Sequence, residues 1–227
     1  MSGHLSLITT AQPNPRLEEL IRRNAAPMTV PAKEIFLTEE RTGKGVYYIV
    51  GGRTRHYLIG ADGLEKIFYV LTPGWFFGEN TRIISAQPRF YVMAEEKTEL
   101  LFIPDGTFQT LLRQSPVFNE AIMRCLASKI QMLSHEIENQ AFLSGRNRLL
   151  ELLYHLADPS FAFDGKWYSL KRNYPQQELG AILGVSRVTV SKFVNELCNE
   201  GVIRIVNRRM QINIEHYRRL EDMIAEQ

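Results

Sequence analysis

The chain has 227 residues, 44% of them hydrophobic and 23% charged, and a formal net charge of +2. That length allows one large domain or two small ones, and the composition is that of an ordinary soluble globular protein. No run approaches the roughly 18 apolar residues of a membrane span, and the N-terminus lacks the charged start and long apolar core of a signal peptide, so the cytoplasm is the expected location.

In chain order, Arg16 to Asn24 reads as a short helix. A β-rich stretch follows, with strand-like runs at Ile35–Leu37, Val46–Val50, Thr54–Ile59, Lys66–Leu71, Phe90–Ala94 and Glu99–Ile103. Gly43, Gly45, Gly51-Gly52, Ala61-Asp62-Gly63 and Pro73-Gly74 punctuate them. Many short strands at even spacing predict a sandwich or barrel, here a jelly roll. Near Pro116 the period changes. Phe118, Ile122, Leu126, Ile130, Leu133, Ile137 and Ala141 recur in steps of three and four, with no Gly or Pro between Val117 and Leu143. A long helix with a sustained narrow apolar stripe pairs with a copy of itself, so residues 117–143 are read as a homodimer helix. Ser144-Gly145 reads as a hinge, Leu149 to Ala157 as a helix ended by Asp158-Pro159, and Trp167–Leu170 as a strand. The expected fold class is α+β, with a jelly-roll domain over 1–115, a dimerisation helix over 116–144 and a third domain over 145–227.

The third domain carries the most specific pattern. In YPQQELGAILGVSRVTVSKFVNELCNEGVI, Leu179, Ile182 and Leu183 form the apolar stripe of one short helix, which ends at Gly184. A second helix opens at Ser186 with its own stripe of Val190, Val194 and Leu197. Two helices joined by a tight turn are the helix-turn-helix arrangement, whose second helix enters the major groove of DNA. Asn173 is the expected cap of the first helix, with Gln176 in the capping-box position. Val202–Val206 and Met210–Ile214 read as a hairpin wing carrying Arg204, Arg208 and Arg209, and a helix follows from Glu215. Charge agrees with this reading: residues 1–144 hold 15 basic and 15 acidic side chains, whereas 145–214 hold 10 basic and 6 acidic. A basic excess belongs where phosphate is met.

Other chemistries find little support. Cys125 and Cys198 match no metal-ligand spacing and sit in apolar helical patterns, which reads as buried thiols, with a redox sensor as the alternative. His56, His135 and His155 are scattered, and nothing pairs them as haem ligands. No His-x-His with a downstream Glu and His marks a metal-dependent jelly-roll enzyme, and no Ser/His/Asp constellation is evident.

The order of jelly roll, long helix and winged helix-turn-helix resembles the cyclic-AMP receptor and fumarate–nitrate regulator (CRP/FNR) superfamily of bacterial transcription factors, from about Pro31 to Ile214. GADGLEKIFYVLTPGWFFGEN (Gly60 to Asn80) and QELGAILGVSRVTVSKFVNELCNEGVI (Gln177 to Ile203) carry the resemblance. It implies a homodimer on a palindromic operator, RNA polymerase as a partner in activation, and a DNA-contacting set of Gln176, Gln177, Ser186, Arg187, Val188, Thr189, Ser191, Lys192 and Arg208. Lys192 stands where the family usually has arginine. Val188 stands where it usually has a glutamate that accepts from cytosine; valine packs on a thymine methyl instead. The resemblance also implies an effector site between roll and dimer helix, at Gly78, Glu79, Asn80, Arg89, Phe90, Leu133 and Ser134. In cyclic-AMP-binding members a Gly-Glu pair opens a phosphate-binding turn and an arginine ten residues later takes the phosphate, matching Gly78-Glu79 and Arg89. Phe90 replaces a small hydroxyl residue, Asn80 a leucine, and Leu133-Ser134 a threonine–serine pair. Cyclic AMP, another small anionic or aromatic effector, haem, and a structural Glu79–Arg89 ion pair in a vestigial pocket all stay open. An iron–sulfur cluster is excluded, since no cysteine precedes Cys125.

Overall fold

The computed structural model describes residues 8–9, 14–38, 43–87 and 89–225, in two compact units. One holds the described parts of 5–58 and 67–135; the other holds 59–66 and the described part of 136–227.

In chain order the first elements are β1 (Ile8–Thr9), α1 (Pro15–Asn24), β2 (Ala26–Val30), β3 (Ile35–Leu37), β4 (Gly45–Gly51), β5 (Thr54–Ile59), β6 (Glu65–Leu71), β7 (Phe76–Phe77), α2 (Glu79–Ile83), β8 (Tyr91–Ala94), β9 (Thr98–Pro104) and α3 (Asp105–Gln114). The strands form two sheets, ordered β1-β6-β5-β8-β3 and β2-β9-β4-β7. Strand β4 reads Val46-Tyr47-Tyr48-Ile49, all buried, because it lies between β9 and β7 with its two faces covered. Each strand read from the sequence is present within a residue or so of its expected bounds. Strands β1, β2 and β7 and helices α2 and α3 lie outside the elements expected from the sequence. They are short, and their apolar residues are too few to fix a period.

Helix α4 (Pro116–Phe142) runs 27 residues. Phe118, Ile122, Cys125 and Met132 are buried on its face toward the roll. The Phe118 ring sits edge-on to Phe76 (5.6 Å) and Phe108 (5.9 Å). The expected single stripe divides here: Phe118 and Ile122 are buried, Leu126 and Leu133 half-buried, and Ile130 and Ile137 63% and 67% exposed. The cause is helical pitch. Successive steps of four advance about 40° beyond a full turn, so the stripe winds off the core face onto an open one.

The second unit contains α5 (Gly145–Leu156), β10 (Ala157–Phe163), β11 (Trp167–Leu170), α6 (Gln176–Leu183), α7 (Arg187–Asn199), β12 (Ile203–Val206), β13 (Arg209–Asn213) and α8 (Ile214–Ala225). The sheet order is β10-β11-β13-β12. Ser144, read as part of a hinge, caps α5: its Oγ accepts from Asn147 N at 3.2 Å. The helix therefore begins at Gly145, four residues before the expected start. Asp158-Pro159 lies inside strand β10, beyond the helix end at Leu156. Asn173 is not the cap of α6; Pro175 occupies that position and offers no side-chain acceptor.

Replacing Phe118 by alanine leaves a ring-sized void between Phe76 and Phe108. The expected cost is about 3–5 kcal/mol of unfolding free energy, read from urea denaturation.

Candidate DNA-reading helix and sensor interior

Helix α6 packs through Leu179, Ala181, Ile182 and Leu183, all buried. Arg172 holds its first turn, donating to Glu178 at 2.5 and 3.0 Å while its guanidinium lies 3.8 Å over the Tyr174 ring. At the other end Gly184 takes φ +70°, the left-handed conformation that turns the chain sharply and that a side chain would strain. The last carbonyls of α6 meet two cations. Lys66 Nζ donates to Ile182 O at 2.5 Å, and Arg148 donates to Leu183 O at 3.2 Å. Cations belong at this negative end of a helix dipole. Burial pulls the Lys66 ammonium below its ordinary pKa, and Glu136, 2.5 Å away, works against that.

Helix α7 starts on a sequence-encoded cap. Ser186 Oγ accepts from Thr189 N at 3.1 Å, and the two hydroxyls lie 2.9 Å apart. Val190, Val194 and Leu197 are buried, which turns the opposite face outward. Ser186, Arg187, Val188 and Lys192 are exposed on it, and Thr189 and Ser191 half-buried. Val188 is 73% exposed. Gln176 and Gln177 open α6, the first half-buried and the second exposed. The wing turn, Asn207-Arg208, has φ +50° and +62° at its two residues, the signature of a two-residue hairpin loop. Arg208 and Arg209 are exposed there, but Arg204 is not part of that tip. It bonds Gln211 at 2.6 Å and Asp164 at 3.3 Å and lies 4.6 Å over the Trp167 ring.

Inside the roll, Gly78 (φ +88°) opens α2 and Glu79 is its first residue, fully buried. A Cβ at position 78 would stand 3.1 Å from Gly45 O, so the turn accepts only glycine without adjustment. Glu79 pairs with Lys129 of α4, whose Nζ donates to Glu79 Oε1 at 2.6 Å and to Phe76 O at 2.8 Å. Burial opposes the Lys129 charge, yet Glu79, Cys125 and Tyr69 outweigh it and raise the pKa above the ordinary value. Glu79 Oε2 has no hydrogen-bonding partner among the described residues. Arg89 is exposed and does not bond Glu79, and Asn80 and Ser134 are exposed as well. Phe90 packs on Phe68 (5.2 Å) and Tyr69 (6.1 Å), and Leu133 is half-buried against the same core. His56 is buried beside Phe77, with Nε2 2.9 Å from Thr54 Oγ1, and burial pushes its pKa well down, helped by Lys129.

Lys129 was absent from the expected effector residues. A signal existed: it falls on the Cys125–Met132 face of α4, where a charged side chain requires a buried partner. Both cysteines are free, and no group of three or more His, Cys, Asp or Glu among the described residues is arranged to hold a metal. No helix among them is long and apolar enough to cross a membrane.

Known proteins share both halves of this arrangement. The family pattern for the cyclic nucleotide-binding domain matches residues 27–115, and that for the Crp-like helix-turn-helix domain matches 147–223. The cyclic AMP receptor protein of Thermus thermophilus is 28% identical over 163 residues, 72% of each chain. The cAMP-activated global transcriptional regulator CRP of Salmonella typhimurium is 28% identical over 177 residues, 76% of this chain and 82% of its own. In fold, the chain resembles the c-di-GMP-responsive global regulator CLP of Xanthomonas campestris (TM-score 0.75, 19% identity, covering 88% of this chain and 99% of that one). It also resembles a CooA variant from Carboxydothermus hydrogenoformans (TM-score 0.70, 22% identity, 91% and 90% covered). A cyclic-nucleotide-binding-type roll followed by a Crp-like helix-turn-helix defines a DNA-binding transcription regulator. The chain belongs to the CRP/FNR family.

Burial pushes the Cys125 thiol up to about 11, whereas Cys198 is only half-buried. Iodoacetamide at mildly alkaline pH is therefore expected to label Cys198 first and Cys125 only after unfolding, as mapped by mass spectrometry. Fast labelling of Cys125 in the folded protein would mark it as an activated thiol instead.

Proposed function

We propose that the chain is a homodimeric, sequence-specific DNA-binding regulator of transcription in the cytoplasm, acting by binding rather than catalysis. Its DNA affinity is controlled at the seam between jelly roll and α4, where a small-molecule effector acts. The observation that carries this reading is the exposed face of α7, which presents Arg187, Val188, Thr189, Ser191 and Lys192 from a capped N-terminus. Arginine and lysine there meet guanine edges or phosphates, and the hydroxyls meet either. Arg208 at the wing tip reaches the flanking backbone. Gln176 and Gln177 lie at the positive end of the α6 dipole, where phosphate is favoured.

Self-association is supported by α4. Met123, Ile130 and Ile137 are 58%, 63% and 67% exposed and recur every seven residues, the spacing of a two-helix seam. A dimer so formed sets two recognition helices about one helical turn, roughly 34 Å, apart on a palindrome. The effector class is bounded by the sensor interior. Arg89 faces solvent, and Phe90 fills space where the cyclic-AMP-binding pattern has a small hydroxyl residue. This favours a small anionic or aromatic molecule over cyclic AMP.

Selection of random DNA by pure protein tests the reading. A palindromic site is the expected product, and failure to enrich any sequence overturns sequence-specific binding. Val188 lacks the acceptor that would fix cytosine, so Val188→Glu is expected to shift one half-site base from A·T toward G·C. An unchanged site in that variant would show that residue 188 does not read the base. Replacing Ile130 and Ile137 together by aspartate is expected to give a monomer in analytical ultracentrifugation, with DNA affinity lowered at least about tenfold.

A further inference from the structure

The end of the β12–β13 hairpin stands clear of the core beneath it. All residues from Ile205 to Arg209 are exposed, whereas Ile203, Met210 and Ile212 are buried. Val206 pairs with Arg209, so the loop is Asn207-Arg208 alone, both at positive φ. Two of the exposed side chains are apolar: Ile205 is 48% and Val206 41% exposed. No acidic residue occurs between Gly201 and Ile214. Arg204, further back, is held by Gln211, Asp164 and Trp167, so Arg208 and Arg209 are the cations of the tip.

Phosphate contact asks for charge and hydrogen-bond donors, and it does not account for the apolar shoulders. A minor groove uses both kinds of side chain, since its deoxyribose walls are largely apolar and its floor of base edges accepts hydrogen bonds. A β-ribbon is too broad to enter a groove roughly 6 Å wide, because its strands alone lie about 4.8 Å apart between backbone centres. A single side chain carried on a two-residue tip is not too broad.

We propose that the wing reads sequence in the minor groove beside the half-site. Ile205 and Val206 rest on the deoxyribose rims, and the Arg208 guanidinium passes the backbone and enters, with the Asn207 amide beside it. The DNA it fits is A·T-rich. A·T pairs show only acceptors in that groove, whereas G·C adds the donor amino group of guanine, and a guanidinium is donor-only. Narrow A·T tracts also concentrate negative potential. The inference rests on the reading of the chain as a sequence-specific DNA-binding regulator, and it adds a second element that specifies sequence. The link from α7 is fixed: Val202 N donates to Leu197 O at 3.0 Å and Gly201 N to Cys198 O at 3.1 Å. Wing and reading helix are thus one piece, which sets the A·T stretch at a constant distance from the bases under α7.

The test uses the full-length protein on its selected operator. Selection is expected to enrich a short A·T run at a fixed distance from each half-site. In fluorescence anisotropy, exchanging that run for G·C pairs is expected to weaken binding at least about fivefold. Exchanging it for inosine·cytosine pairs should restore the parent affinity, because inosine keeps the major-groove edge of guanine and lacks only its amino group. Arg208→Gly, which suits the positive φ of the turn, is expected to bind all three duplexes alike. The duplex comparison uses the unaltered protein, so it holds whether or not that variant folds. Equal affinity of the parent for all three flanks would confine the wing to the backbone and overturn the proposal. A G·C penalty that inosine does not relieve would overturn it too, as would discrimination that survives in folded Arg208→Gly. A palindrome with indifferent flanks overturns this proposal alone. If no sequence is enriched at all, the regulator reading beneath it falls, and the proposal falls with it.

Discussion

Helix α4 divides its apolar residues between two faces with a single 3.6-residue period, and the architecture depends on that division. One face, through Phe118, Ile122, Cys125 and Met132, closes the core of the roll. Another carries Met123, Ile130 and Ile137 into the open. The two faces lie roughly 120° apart around the axis, so neither use blocks the other. A helix with only one apolar face could close the roll or leave an apolar stripe open, but not both. Helix α4 runs without a break over 27 residues.

Charge is placed with the same economy. Lys129 enters a face that is otherwise apolar, a placement that is stable because Glu79 and Phe76 O accept hydrogen bonds from its ammonium. Lys66 and Arg148 converge on the last carbonyls of α6, where the chain must turn at Gly184 to launch α7. Arg172 and Glu178 secure the start of the same short helix. Short helices are marginal alone, and α6 is held at both ends by side chains from outside its own span. Arg187, Lys192 and Arg208 stay exposed. Arg204, equally basic but on strand β12 short of the wing tip, is drawn instead onto Trp167 and Gln211.

The parts of the fold legible from sequence are those whose signals are local. Ser186 as a cap, Gly184 at a left-handed turn, and Val190, Val194 and Leu197 at helical spacing each act within a few residues, and α7 formed where they placed it. The Asn207-Arg208 turn is of the same kind. Local reasoning failed where partners are distant in sequence. Strand β10 exists because β11 pairs with Ala157-Asp158 and with Ala162-Phe163 on either side of an irregularity that holds Pro159, and a Pro-containing stretch reads as a loop without that partner. Asn173 has the residue type of a cap, but Pro175, two residues later, holds the cap position and the helix begins at Gln176. For the sensor turn, ten-residue spacing put Arg89 beside Glu79, whereas the cation that arrives is Lys129, fifty residues along the chain. Spacing cannot reveal which of two cations is carried inward; the register of α4 against β7 decides it.

The central claim is that two copies of α7 read one DNA site together. Hydroxyl-radical footprinting of pure protein on its selected duplex tests this most directly. The account predicts two protected patches on one face of the DNA, centred about one helical turn (roughly 34 Å) apart. A single protected patch, or uniform protection that fades with salt whatever the sequence, would contradict it.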